Sequence, residues 1–321
     1  MSGREADLSR VRTVPIAARR NKVDPALLAT PPGDDASFAA FLRALPDQLA
    51  ARDLGQVITH VAAAARARRG VALLLGGHVV KVGLGPLIGA LLDAGVVTHV
   101  AMNGAAAIHD FELAAWGGTS EDVEAGLGDG TFGMAEETGR EMNGAIARAH
   151  RDGLGLGEGV TRALAARTDL PGREASILLA AARRKVPVTV HVAIGADIIH
   201  QHPTADGAAL GATTFTDFKR LAGALPDLDQ GGAVLNLGSA VILPEVFLKA
   251  LTIARNLHDG HPRDFLAADF DMIRQYRSRM NVVARPTKAG GTGVMITGHH
   301  ELMVPMLVWG VLGELRGASG A

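Results

Sequence analysis

LLLGGHVVKVGLGPLIGALLDAGVVTHVAMNGAAAIHD, residues 73–110, reads as a strand, a helix, a second strand and the start of a second helix. With Val71 and Ala72 before it, the opening run is continuously apolar, which a strand covered on both faces requires. Gly85 to Asp93 has helical spacing, and VVTHVAM (96–102) is another buried-strand run. Both runs break at their C-terminal ends into small residues with histidine: Gly76-Gly77-His78 in one, Asn103-Gly104-Ala105 with His109-Asp110 a turn later in the other. Two strands joined through a helix pair in parallel by a crossover.

The same punctuation returns in VHVAIGADIIHQH (190–202), VLNLGS (234–239), FLAADFD (265–271) and VMITGHHE (294–301). In an open parallel sheet the loops at the strands' carboxyl ends converge on one crevice, where helix N-termini offer unpaired N–H groups to anions. The expected architecture is therefore an α/β fold, a Rossmann-like parallel sheet flanked by helices, with its ligand site along one edge. Helical spacing accounts for much of what lies between: 37–70, REASILLAAARRK (173–185), FTDFKRLAGAL (215–225), EVFLKALTIARNL (245–257) and the closing HHELMVPMLVWGVLGEL (299–315). The segment 117–159, rich in glycine and acids, is expected to be the least regular interior stretch, a lid or an interface loop. Residues 1–34 read as an extended N-terminal arm and 35–321 as a single α/β nucleotide-binding domain.

Composition narrows the function classes. Of 321 residues 48% are apolar, ample for a buried sheet, and the net charge of −1 with dispersed Lys and Arg leaves no basic face for nucleic acid. Aromatic residues make up only 4%, too few to stack single-stranded bases. The absence of cysteine removes disulfides, thiol nucleophiles and thiolate metal sites. His78, Lys81, Asp93 and His99 interrupt the most apolar region, and the N-terminus lacks a signal-like apolar stretch, so a cytoplasmic protein without a membrane partner is expected.

The candidate chemistry is carried by histidine. His78, His109, His200 and His299 stand at or just beyond strand ends, and an imidazole near its unperturbed pKa of ~6.5 suits proton transfer at neutral pH. For His109-Asp110 the competing reading is charge stabilisation at a helix start. GLGPLIG (83–89) departs from the dinucleotide fingerprint and reads equally as close helix–sheet packing. His200 and His202 with His299 form an N/O set whose spacing matches no zinc pattern; no metal is expected, and hydrogen bonding to a ligand is the preferred role.

Over about residues 70–315 this succession resembles the deoxyhypusine synthase family, in 73–113, in the LNLGS turn and in ARPTKAGGTGVMITGHHELMVPMLV (284–308). The resemblance implies a Rossmann-like sheet that binds NAD at subunit interfaces, with Gly76, Gly77, His78, Asn103, Gly104, Ala105, Gly238, Ser239 and His299 at the cofactor. It also implies a homo-oligomer, a tetramer, acting on an amine-bearing small molecule by oxidation or aminoalkyl transfer. Two departures stand out. Where the family has the lysine that forms an imine, this chain has Arg279, which stays protonated and cannot serve as that nucleophile. The family's histidine base has no counterpart in LGSAVILPE (237–245), so authentic deoxyhypusine transfer is not expected. Lys81 and Lys288 are the candidate replacement amines, and Asp110, Asp197, Glu245 and Asp269 the candidate carboxylates for a polyamine. Two alternatives stay open: a non-catalytic nucleotide-binding or assembly protein, and metal-assisted hydrolysis through His200, His202 and His299.

Overall fold

The computed structural model describes residues 3–317. Beyond an exposed arm, the chain runs through α1 (Phe38–Ala44), α2 (Leu49–Arg66), β1 (Val71–Leu75), α3 (Gly77–Lys81), α4 (Gly85–Asp93), β2 (His99–Asn103) and α5 (Gly104–Trp116). Next come α6 (Val123–Asp129), α7 (Glu136–Arg151), α8 (Leu156–Ala165), α9 (Ile177–Arg184), β3 (Val188–His191) and α10 (Gly207–Ala224). The last part holds β4 (Gly232–Leu237), α11 (Ile242–Leu257), β5 (Phe265–Asp271), α12 (Arg285–Thr287), β6 (Thr292–Thr297) and α13 (His300–Gly317). A π-helical turn, Ser278–Ala284, precedes α12.

All strand pairs are parallel, in the order β3-β2-β1-β4-β5-β6. The direction of winding reverses between β1 and β4, and such a reversal opens a crevice at the strands' carboxyl ends. Alternation along each strand sends side chains to two cores. Leu73, Leu75, Val100, Met102, Leu235 and Leu237 pack with α2, α4, α5, α9 and α13 on one face. Ala72, Leu74, Ala101, Val234 and Ala267 pack with α10 and α11 on the other. Burial on both faces is why β1 carries no polar residue.

Three buried carboxylates tie helices to this frame. Asp110 of α5 accepts Ser176 Oγ (2.7 Å) and the N–H groups of Ile177 (2.7 Å) and Leu178 (3.1 Å), capping α9. Asp217 of α10 accepts Gly157 N (2.7 Å) and Val190 N (2.8 Å), joining α8 to β3. Asp269 takes a hydrogen bond from Asn236 Nδ2 (2.7 Å), which also donates to the Ser239 carbonyl (2.9 Å).

The expectation of irregularity over 117–159 is corrected: α6, α7 and the start of α8 occupy much of it. Glu136 and Glu137 stabilise the first turn of α7, and glycine within α8 permits contact with the backbone of β3. The arm is exposed, including Leu8, Val11, Val14, Ile16, Val23 and Leu28, and is hydrogen-bonded to the body near its end, where Gln48 Nε2 donates to the Leu27 carbonyl and Thr30 N to the Ala44 carbonyl. Among the described residues no helix is long and apolar enough to cross a membrane.

The reversal point demands glycine. A Cβ on Gly76 would lie 2.1 Å from the Gly238 carbonyl oxygen, whereas one on Gly55, inside α2, meets nothing within 4 Å. Gly76→Ala is expected to destabilise by about 3 kcal/mol or more through overpacking of backbone on backbone. Gly55→Ala should stabilise by about 0.5–1 kcal/mol through helix propensity. Denaturant unfolding of both variants checks the contrast; equal stabilities would remove the reversal point from its structural role.

Candidate functional site

The carboxyl edge of the sheet holds two neighbouring places of different chemistry. The first lies at the reversal between β1 and β4. Gly238 adopts a left-handed φ of +70°, and His300, the first residue of α13, packs beside it. His300 Nε2 is 3.1 Å from the Phe270 carbonyl, so that nitrogen donates and Nδ1 is left as a buried acceptor without a partner. Burial lowers the His300 pKa. Its ring meets that of half-exposed His78 edge-on, with centroids 5.5 Å apart. Ser239 is committed to the turn: its hydroxyl accepts Leu243 N (3.2 Å) and its carbonyl accepts Asn236 and Ser278.

The second is a cavity of about 170 Å³ beyond β2 and β3, with Lys81, His109, Glu112, Glu121 and Asp197 on its walls. Glu112 accepts hydroxyls from Thr119 (2.6 Å) and Thr138 (2.8 Å). Because the single Thr119 proton goes to the carboxylate, its oxygen accepts from His109 Nδ1 at 2.8 Å. His109 is thereby set as the Nδ1–H tautomer, with Nε2 as the ring's remaining acceptor. Burial, reinforced by Lys81, pushes its pKa down to about 4, so the ring stays neutral. Glu121 accepts Gly133 N (2.9 Å) and draws the turn carrying Phe132 over the cavity.

Asp197 completes the wall. Its carboxylate caps the short turn Ile198–Gln201 while His200 Nδ1 accepts the N–H groups of Gly195 (3.1 Å) and Asp197 (3.3 Å). His200 Nε2 must then carry the proton, yet it and Asp197 Oδ2 are both buried, unpartnered and 3.9 Å apart. Burial raises the Asp197 pKa to about 6. The carboxylate lies against the first residue of α5, where a Cβ on Gly104 would come within 1.9 Å of Oδ2.

The sequence-derived residues thus separate. Gly76, His78, Gly238 and Ser239 gather at the reversal; Asn103, Gly104, Ala105, His109 and His200 belong to the region of the cavity, and Gly77 bridges the two by packing against Ala105 and His109. Asn103 caps α5 by accepting Ala106 N at 2.9 Å. His299 is 66% exposed beside Glu301, and its neighbour His300, not singled out in the sequence, occupies the reversal point. His202 meets the Gly133 carbonyl. Among the described residues no group of three or more His, Asp or Glu side chains is gathered as a metal-binding set. Of the candidate carboxylates only Asp197 lines the cavity: Asp110 and Asp269 are internal ties, and Glu245 pairs with Lys249 and Arg277. Lys81 lies at the cavity, whereas Lys288 precedes β6 at the opposite edge. Arg279 is exposed, with its guanidinium 5.8 Å from the Tyr276 ring centre.

No family model matches the chain. No curated protein matches it either. Among solved structures it is similar to a conserved candidate LOR/SDH protein from Methanococcus maripaludis S2, at 13% identity and a TM-score of 0.50, over 89% of this chain and 74% of that one. The likeness is one of fold: a parallel α/β sheet flanked by helices. A candidate deoxyhypusine synthase from Entamoeba histolytica aligns at 10% identity and a TM-score of 0.49, over 87% of this chain and 94% of that one. A complex of AgrE with ornithine and NAD+ aligns at 17% identity and 0.49, over 83% of this chain and 34% of that one. The chain therefore spans about a third of AgrE's length. In an open parallel α/β sheet the reversal of winding is where a dinucleotide can lie.

The residues there suit part of one. His300 Nδ1 is an acceptor awaiting a donor such as a ribose hydroxyl, and buried Asp271 at the end of β5 offers a carboxylate for the same purpose. The start of α5 suits a phosphate poorly, because Asp197 already places a carboxylate against it.

The Glu112–Thr119–His109 chain has a spectroscopic signature. Imidazole ¹⁵N shifts should show His109 neutral as a single Nδ1–H tautomer from pH 8 to about 5, with protonation near pH 4. Thr119→Val should mix the tautomers and Thr119→Ser keep the native one; a fixed tautomer in the Val variant would dissociate Thr119 from the histidine.

Proposed function

We propose that this protein is an NAD-binding enzyme acting on a small amine, held by its ammonium group in the cavity between His109 and Asp197. The observation that carries the reading is the unpartnered, buried Oδ2 of Asp197 on a wall shared with the acceptor nitrogen of His109. An ammonium group has donors and no acceptor, so it satisfies both without leaving a polar group unpaired. Three carboxylates, Glu112, Glu121 and Asp197, face one lysine, Lys81, and favour a cation.

When bound at the reversal point, NAD would supply a hydride acceptor, with His300 and Asp271 holding its ribose side. The roles of this chain's other residues follow from their bonding. Asp197 balances the ligand's charge, and its raised pKa lets it take up a proton near neutrality. His109 accepts an N–H from the ligand; with a pKa near 4 it orients the amine and does not deprotonate it. Arg279 provides no imine-forming amine, so the reading favours oxidation or transfer without a covalent link at that position. A homo-oligomer completes the reading, with the apolar residues of the arm covered by another copy.

A thermal-shift panel on the full chain tests this. NAD at ~100-fold excess over its Kd should stabilise by about 2.7 kcal/mol. Diamines and polyamines should bind more tightly as pH rises through about 6, because the ionised form of Asp197 is the one that pairs. Asp197→Asn should weaken amine binding about tenfold or more and leave NAD unaffected. Amine binding indifferent to both pH and Asp197 would overturn the assignment. Removing residues 1–34 should lower the mass measured by light scattering to that of a smaller assembly; an unchanged number of copies excludes the arm from assembly.

A further inference from the structure

At the opposite edge of the sheet, by the amino ends of β2 and β3, a cavity of about 800 Å³ opens between α8, the end of α9 and α10. Its polar walls are His99, Glu158, Thr161, Arg162, Lys185 and Arg220. Glu158 is shared by Arg162 (2.5 Å) and Arg220 (2.7 Å), and Lys185 forms no ion pair among the described residues, so positive charge is in surplus. Two side chains there are more than nine-tenths buried with an unpartnered polar atom: Nδ1 of His99 and Oγ1 of Thr161. A buried polar group without a partner is costly, and two on the walls of one cationic cavity point to a ligand.

The bonding of His99 allows two tautomers, and one of them suits an anion. Thr189 Oγ1 lies 3.0 Å from Nε2 of His99 and 3.0 Å from Nε2 of His191. A hydroxyl has one proton, so it donates to one ring and accepts from the other, and the two neutral rings hold complementary tautomers. When Thr189 donates to His99, the His99 proton sits on Nδ1 and His191 carries its own on Nε2. The cavity then presents an N–H and an O–H, from His99 and Thr161, beside Arg162, Lys185 and Arg220. Every one of these is a donor or a positive charge.

We propose that this cavity is a second ligand site that takes a small molecule through an oxyanion, a phosphate or a carboxylate. Its volume lies within the range of small-molecule pockets and exceeds a bare anion's, so the anion is one end of a larger ligand. The site is separate from the amine cavity, which lies at the strands' carboxyl ends, and it does not depend on the function proposed there.

Histidine-selective NMR of the full chain, titrated with inorganic phosphate and in parallel with citrate, tests the proposal. One or both anions should shift His99 saturably below about 50 mM, favour its Nδ1–H tautomer with His191 as Nε2–H, and leave His109 unmoved. The anion that saturates at lower concentration tells phosphate from carboxylate. Lys185→Asn should weaken this response about tenfold, and asparagine tolerates the left-handed φ of 57° at that exposed position. Arg162→Gln provides an independent surface variant with the same expected loss. No saturable shift at His99 with either anion overturns the proposal, as does a shift in both variants equal to that of the unaltered chain, which would mark an adventitious ion only.

Discussion

The close approach of two turns, Gly76 after β1 and Gly238 after β4, sets the geometry of everything at the carboxyl edge. Here the sheet reverses its winding, and two backbones meet with no room for a methyl group between them. Gly76 N donates to the Leu237 carbonyl and Gly238 N to the Phe270 carbonyl, so the register of β1, β4 and β5 runs directly into the turns. His300 fills the space beside Gly238 and turns an acceptor nitrogen inward. A side chain at Gly76 would part the two turns, and one at Gly238 would displace the His300 ring.

Three buried carboxylates hold the fold, and a fourth stands on the wall of the cavity beside His109. Asp110, Asp217 and Asp269 all have pKa values raised by burial, and each accepts hydrogen bonds from elements remote in sequence. Asp197 shares the raised pKa, but its bonds are local and one oxygen is left over at a cavity wall. A perturbed pKa alone would rank the four together. Asp197 and Asp217 each keep one buried oxygen unpartnered, and Asp197 is the one that lines the cavity with His109; bond accounting also shows why His109 is an acceptor, since the Glu112 carboxylate and the single hydroxyl proton of Thr119 leave only one consistent assignment of protons.

Much of the fold is legible in the sequence because burial on two faces writes continuous apolar runs, and the six strands fall on the runs picked out there. The segment 117–159 reads as irregular for a physical reason: glycine, usually a sign of loops, serves within α8 to let a helix touch β3. The candidate site is legible as a set of strand ends but not as a partition. Thr138 donates to Glu112 across 26 positions of chain, and nothing near either residue in the sequence marks them as a pair. The Thr119 and Thr138 hydroxyls that converge on Glu112 look, in the sequence, like ordinary helix-flanking threonines.

The sequence by itself determined the parallel α/β architecture and the edge at which its small residues and histidines collect, because hydrophobic period and residue chemistry are local properties. Tertiary structure alone decided that His300 and not His299 turns inward at the reversal, that Asp197 brings an unpartnered oxygen to the wall of the cavity beside His109, and that His99 and Thr161 share a cationic cavity at the far edge. Those outcomes rest on which polar atoms find partners across the fold, and pairing at a distance has no signature in a single chain of letters.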